Sequence, residues 1–327
     1  LIQVVQQGLL DTIQDTGRYG YQHLGINPGG AMDRIALFTA NCLTGNSGTE
    51  AAIELHFPAA AFLFEADAMI ALSGADFGAM LNEQPIPLNQ PVLAPKHAVL
   101  RFSRPVSGTR CYLAVSGGFA LTPWLGSYST HLKAGTGGFQ GRALQKGDRL
   151  PFRQELALPP LKQPQVLPWS ADISHLYATT GTIRIIHGHE WALLEKGSQE
   201  DLSGEAFMLT AQCDRMGFRL RGPVLKTRDR SERLSAGVSR GTMQLLPGGQ
   251  LIILMADHQT TGGYPRVAHV ISADMPALSR YAPHQPLRFS TVDLKTAEDL
   301  LWQQEQGLLI LQNACKLRLE EWEQTTH

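Results

Sequence analysis

The stretch Asp257-His258-Gln259-Thr260-Thr261-Gly262-Gly263-Tyr264-Pro265-Arg266 lies between two apolar runs, Leu251 to Met255 and Val267 to Ile271. Short apolar runs bounded by turn residues read as buried strands, so these ten residues connect two rigid elements. The glycine pair lets the backbone turn through positive φ and pass close to a neighbour. A plain hairpin loop needs Gly and Pro. It has no need of an acid, an amide, two hydroxyls, a phenol and a guanidinium together, whereas loops held by strands commonly carry binding groups. Both readings, solvated hairpin and polar site, stay open at this level.

Working outward, Met243 to Leu246 and Leu251 to Met255 predict a hairpin around Pro247-Gly248-Gly249. Upstream, Phe207 to Thr210 and Phe218 to Leu220 read as strands, and strands resume from Thr182. In the first half, Ala61 to Glu65, Ala68 to Leu72, Val99 to Phe102 and Cys111 to Val115 are short strands between turn signals. One helix interrupts them: Met32, Ile35, Ala36, Ala40 and Leu43 share a face, and Gly45-Asn46 supplies the stop. A second helix follows Asp293, which can cap it, and carries Leu294, Ala297, Leu300, Leu301, Leu308 and Leu311, with Gly307 as a weak point. Pro159, Pro160, Pro164 and Pro168 mark a crossover. The expected domains are therefore residues 1–155, a linker over 156–180, and 181–327. Asp15-Thr16-Gly17-Arg18-Tyr19-Gly20-Tyr21 parallels Asp214-Arg215-Met216-Gly217-Phe218, a faint sign of duplication.

The 327 residues are 43% hydrophobic and 17% charged, which describes a globular chain with a substantial core. A net charge of −1 argues against electrostatic binding of nucleic acid. No apolar run approaches the roughly 18 residues that cross a bilayer, and the first residues lack a signal-peptide pattern. No membrane association is expected, and a cytoplasmic location is. Cys42, Cys111, Cys213 and Cys315 lie far apart and read as packed, reduced thiols.

Several motifs fail. There is no Walker phosphate loop, and Gly135-Thr136-Gly137-Gly138-Phe139-Gln140-Gly141 misses the dinucleotide spacing by one residue. His187-Gly188-His189-Glu190 puts two imidazoles on one side of a strand, but two ligands are too few for a metal, and a solvated strand end is the plainer reading. Gly29-Gly30 leads into the helix that starts near Met32, so its N–H groups can face an anion, or Asp33 can balance the dipole instead.

Taken in order, Gly8-Leu9-Leu10-Asp11-Thr12-Ile13-Gln14-Asp15 with Gly17-Arg18, Gly30-Ala31-Met32-Asp33, Tyr112-Leu113-Ala114-Val115 with Gly117-Gly118, Gly147-Asp148-Arg149-Leu150, Arg215-Met216-Gly217 and Gln259 to Pro265 resemble one family over nearly the whole chain. It is the biotin-dependent carboxyltransferase family, also called allophanate hydrolase subunit 2 or KipA-like. The resemblance implies a mainly β protein: two cyclophilin-like antiparallel β-barrel domains, a few helices and a C-terminal helix. Its nearest look is to the C subunit of an ATP-dependent 5-oxoprolinase, which opens 5-oxo-L-proline to L-glutamate together with partner subunits and is inactive alone. The alternatives are a carboxyltransferase that uses carboxybiotin on urea or a related amide, and a KipA-like regulator of a KipI-like kinase inhibitor. Ala236 stands where many relatives carry an acid, and no biotin carrier is fused to the chain given, so the oxoprolinase reading leads.

That reading implies ATP, bound here or shared with a partner protein, while biotin is not expected. The implied partners are the KipI-like B subunit and the A subunit of such an enzyme. Lactam activation needs donors and cations aimed at developing negative charge. Asp257, Gln259, Tyr264 and Arg215 are the candidate catalytic residues: Asp257 to hold the ring N–H or act as a base, Gln259 and Tyr264 to orient the amide or carboxylate, Arg215 as a clamp. Arg18, Gly29, Gly30, Gln244, Thr260, Thr261, Gly262, Gly263 and Arg266 are candidate contacts to substrate or anion. No metal ligand is expected.

Overall fold

The computed structural model describes residues 1–155, 161–177, 181–229 and 233–326. The chain divides into two compact units, Leu1–Arg18 with Asp33–Ser174 and Gln306–His327, and Tyr19–Met32 with His175–Glu305. As the sequence predicts, the protein is mainly β, with helices α1 (Arg34–Leu43), α2 (Lys196–Gly204), α3 (Met275–Ser279) and α4 (Leu294–Thr326).

The first unit holds two six-stranded sheets. One runs in the order Arg149–Leu150, Ile2–Gln6, Ala61–Phe64, Val99–Phe102, Ala79–Leu81, Gln84–Pro85. The other runs Gln165–Val166, Pro91–Ala94, Ala68–Asp76, Ser107–Val115, Ala52–Leu55, Thr12–Gln14. The pairing between these strands is antiparallel. Alternate residues of both sheets, among them Ile2, Val4, Phe62, Phe64, Ile70, Leu72 and Leu113, bury in one shared core. Gln165–Val166, inside the stretch expected to be linker, pairs with Val92–Leu93. The Pro159-Pro160 part of that stretch lies outside the described residues.

α1 begins at Arg34, two residues later than the apolar pattern suggests. The reason is Asp33, which is extended and accepts from Ala36 N at 3.1 Å as the N-cap. Near the N-terminus, Asp11 accepts from His56 N at 2.9 Å and Ala60 N at 2.6 Å, pinning the turn that contains the cis bond Phe57–Pro58. A Cβ on Gly8 would collide with Asp11 Oδ2, so only glycine fits there. Burial lifts the Asp11 carboxyl to about 7 against those two bonds.

The second unit is a closed seven-stranded barrel. Its order is Thr182–His187, Arg266–Val270, Thr242–Leu245, Leu251–Leu254, Gly217–Arg221, Phe207–Cys213, Pro286–Thr291. All pairs are antiparallel except the one that closes the ring, Pro286–Thr291 on Thr182–His187. Closure removes sheet edges. Ile183, Ile185, Phe207, Leu209, Phe218, Leu220, Met243 and Phe289 are all buried, and Phe207 and Phe289 pack with centroids 5.5 Å apart.

α4 is capped by Asp293, whose carboxylate accepts from Thr296 N at 2.7 Å. It continues through Gly307 as one helix of 33 residues, since a glycine costs only about 1 kcal/mol in a long helix. Gln304 donates to Leu176 O and Ala273 O in the second unit, and Leu319 joins Met69, Leu93 and Leu167 in the first.

Candidate active site

The barrel register builds the site. Gly217 stands opposite Leu254. Beyond both strand ends the ladder continues, Met255 N donating to Met216 O at 3.0 Å and Asp257 N to Arg215 O at 2.7 Å. This brings Arg215 beside Asp257, and their side chains form a two-pronged pair: Nε to Oδ2 at 2.8 Å and Nη2 to Oδ1 at 3.0 Å. Arg215 is only 4% exposed. Its Nη2 also donates to Gly30 O at 2.7 Å. Asn27 Nδ2 donates to Asp257 O at 3.0 Å, so the segment Tyr19–Met32 belongs to the surroundings of this pair. Gly29 and Gly30 have φ of 64° and 92°, a conformation that suits glycine. Arg240 holds the same segment by donating to Ala31 O and Met32 O.

Gln244 sits on Thr242–Leu245 with no exposed surface. Its Oε1 accepts from Gln259 Nε2 at 3.3 Å, while its own Nε2 has no hydrogen-bond partner. Gln259 itself is exposed, so the buried amide lies directly beneath a surface residue. Thr261–Gly262 pairs with Ala236–Gly237 as a short ribbon, and a Cβ at Gly262 would overlap Gln244 Nε2. Thr260 O accepts from Val238 N at 3.0 Å. Tyr264 is 46% exposed, and a Cβ added at Gly263 would meet the Arg233 carbonyl and the Ser235 hydroxyl only at ordinary contact distance.

Arg266, expected as an anion clamp, is engaged otherwise. Its Nε and Nη2 grip Glu190 at 2.9 and 2.6 Å, its backbone N donates to the same carboxylate at 2.8 Å, and Nη1 reaches Gly237 O at 3.3 Å. Burial pushes the Glu190 carboxyl up, but the Arg266 bonds outweigh it and hold the group below its ordinary range. The guanidinium thus braces the barrel.

Arg18 lies in the first unit, 1% exposed. It donates to Ser129 O and stacks over Trp124 at 4.8 Å. The adjacent Asp15 collects Ser127 Oγ, Ser129 Oγ, Tyr128 N and Gly17 N. Asp214 makes the matching turn bond to Met216 N at 2.8 Å in the second unit, which is the local basis of the echo in the sequence. The helix start after Gly29-Gly30 is occupied by the Asp33 cap. His187 and His189 are exposed at a strand end, and His187 stacks on Trp191 at 3.9 Å. Among the described residues no group of three His, Cys, Asp or Glu is placed to hold a metal.

Sequence alone assigns no role to four residues near the site: Asn27, Arg240, Glu190 and His258. His258 is 2% exposed, and its Nδ1 lies 2.6 Å from Gln259 O. Burial holds it below the ordinary histidine range, as it does His269, which also feels the His258 charge. The local signal for His258 and Glu190 is membership of a polar stretch. Asn27 and Arg240 carry none, because their contacts are made across long sequence separations.

Comparison with known proteins matches this architecture. The chain is 36% identical to the C subunit of 5-oxoprolinase from Escherichia coli over 98% of its own length and 100% of that protein. It is 35% identical to the corresponding protein of Haemophilus influenzae over 88% and 90% of the two chains. Saccharomyces cerevisiae urea amidolyase is 28% identical over 98% of this chain, which spans 18% of that much longer protein. The crystal structure of Kluyveromyces lactis urea amidolyase superposes with a TM-score of 0.86 at 26% identity, covering 95% of this chain and 20% of that one. The profile described as carboxyltransferase domain, subdomain A and B, matches residues 24–291, and the chain belongs to that family.

Proposed function

We propose that this chain is the C subunit of an ATP-dependent 5-oxoprolinase, opening 5-oxo-L-proline to L-glutamate together with partner subunits and inactive alone. The observation that carries the reading is full-length similarity to the C subunit of the Escherichia coli 5-oxoprolinase, 36% identical over all of that protein. The urea amidolyases are 28% identical, and this chain corresponds to less than a fifth of them.

A lactam carbon is a poor electrophile, so ATP, when bound, would supply a phosphoryl group that activates the amide oxygen, with ADP as the leaving group. Water then adds at the activated carbon, and the ring C–N bond breaks with the nitrogen departing protonated. A second water would hydrolyse the acyl phosphate left behind to L-glutamate and inorganic phosphate. In this reading the Arg215–Asp257 pair presents a fixed cation to the developing negative charge, with Asp257 holding the guanidinium in place. Gln259 and Tyr264, both exposed on the loop, contact the substrate carboxylate or amide. The guanidinium of Arg266 already carries Glu190, so phosphate transfer is assigned to a partner protein. The KipI-like B subunit and the A subunit of the enzyme are the expected partners.

A second reading, carboxyl transfer from carboxybiotin to urea, is favoured by the carboxyltransferase profile over residues 24–291. One assay separates them. The purified chain is mixed with its partner subunits and supplied with 5-oxoproline and ATP, or with urea and carboxybiotin. Glutamate formation only in the complete mixture is the expected result. Urea-dependent loss of carboxybiotin would move the assignment to the second reading, and turnover by the single chain would overturn the subunit role.

A further inference from the structure

Two side-chain amides around the candidate loop are each half satisfied. Asn27 Nδ2 donates to Asp257 O. A carbonyl can only accept, so this bond fixes the amide orientation and leaves Asn27 Oδ1, a buried atom without a partner, as an unused acceptor. Gln244 is the complement: its Oε1 takes the Gln259 bond, and its fully buried Nε2 is an unused donor. Buried polar atoms are almost always paired, so an orphan donor and an orphan acceptor tied to positions 257 and 259 of one loop call for a ligand. Gly262 supports this, since any side chain there would occupy the space in front of Gln244 Nε2.

One donor and one acceptor match an amide that shows its C=O and N–H on the same edge. An ordinary trans peptide shows them on opposite edges. A ring lactam shows them together, and so does urea. We infer that Gln244 and Asn27 read the edge of a cis amide, Gln244 Nε2 donating to the acyl oxygen and Asn27 Oδ1 accepting the amide N–H. The inference deepens the proposed function and rests on its placement of the site at this loop. It makes both residues specificity determinants: open-chain trans amides and N-alkylated lactams are rejected because they leave one of the two atoms unpaired.

The test measures binding of 5-oxo-L-proline, N-methyl-5-oxoproline and urea to the assembled complex, in wild type, Asn27→Ala and Gln244→Met, with thermal unfolding as the fold control. Wild type should bind 5-oxoproline about tenfold or more tightly than its N-methyl analogue. Asn27→Ala should erase that preference, and Gln244→Met should weaken both lactams together by about tenfold. A merely structural Asn27 would weaken both ligands and leave their ratio unchanged, which would overturn the inference. If Gln244→Met does not fold, Gln244→Glu, which keeps shape and removes the donor, takes its place. Binding of urea in place of 5-oxoproline, lost in Gln244→Met, would uphold the amide edge and sink the oxoprolinase reading. Lactam binding indifferent to both substitutions would do the reverse. If wild type binds none of the three, the inference fails.

Discussion

Asp257 meets Arg215 through both carboxylate oxygens, and the same Arg215 guanidinium reaches on to Gly30 O at 2.7 Å. An aspartate fixed at a strand end thereby sets the position of an arginine that is 4% exposed. Substitution to asparagine keeps one acceptor for Arg215 and removes the charge. Asp257→Asn should therefore retain cooperative unfolding and partner assembly, while turnover of 5-oxoproline by the complex falls by roughly 10²–10³, the usual effect of losing a charge-organising group at a reacting centre. Near-normal kcat in a folded, assembled variant would remove the pair from the chemistry.

Gly262→Ala tests the close approach between the loop ribbon and Gln244. The added methyl overlaps Gln244 Nε2, and the buried amide has little room to yield. Stability should drop by about 1 kcal/mol, with a larger loss in substrate affinity. Gly237→Ala, on the facing strand with open space around its Cβ position, should leave chemical denaturation midpoints unchanged.

Acid sensitivity should come from His258 and His269. Burial lowers both below the ordinary value, with Arg240 and the neighbouring imidazole adding to it and Gln259 O and Asp257 opposing it at His258. At these two sites the unfolded chain then binds more protons than the folded one just below pH 6.5, so their contribution to stability is fully present above about 6.5 and is lost as pH falls through the folded values. Asp11, lifted to about 7, acts in the opposite sense. Replacing both by glutamine should flatten the slope of unfolding free energy between about pH 6.5 and 5. An unchanged slope would place the acid-labile groups elsewhere.

Asp274 has no exposed surface and carries Arg184 through both oxygens, as well as its backbone N at 2.7 Å. Asp274→Ala strands the guanidinium and an N–H. A loss of about 3 kcal/mol is expected in denaturant titration, larger than for most single substitutions in this barrel. A loss under about 1 kcal/mol would show that Arg184 re-pairs with solvent.

Local pattern alone determined much of this protein. Alternating apolar residues located Val99–Phe102 and the hairpin around Pro247-Gly248-Gly249, and the Asp293 cap located the start of α4. These depend on neighbours a few residues apart, which sequence displays directly. The dense loop Asp257 to Arg266 was visible too, because polar groups between apolar strands stand out. What tertiary structure decided is which of those groups are engaged. Whether Arg266 clamps an anion or braces the barrel depends on Glu190, 76 positions away, and Arg215 is set by Asp257 across the barrel register. Membership of Tyr19–Met32 in the second unit, and with it Asn27 beside Asp257, follows from contacts 185 to 230 residues apart. Such pairings leave no periodic trace in the chain, since each is a single contact selected by the geometry of the closed barrel rather than by the residues beside it.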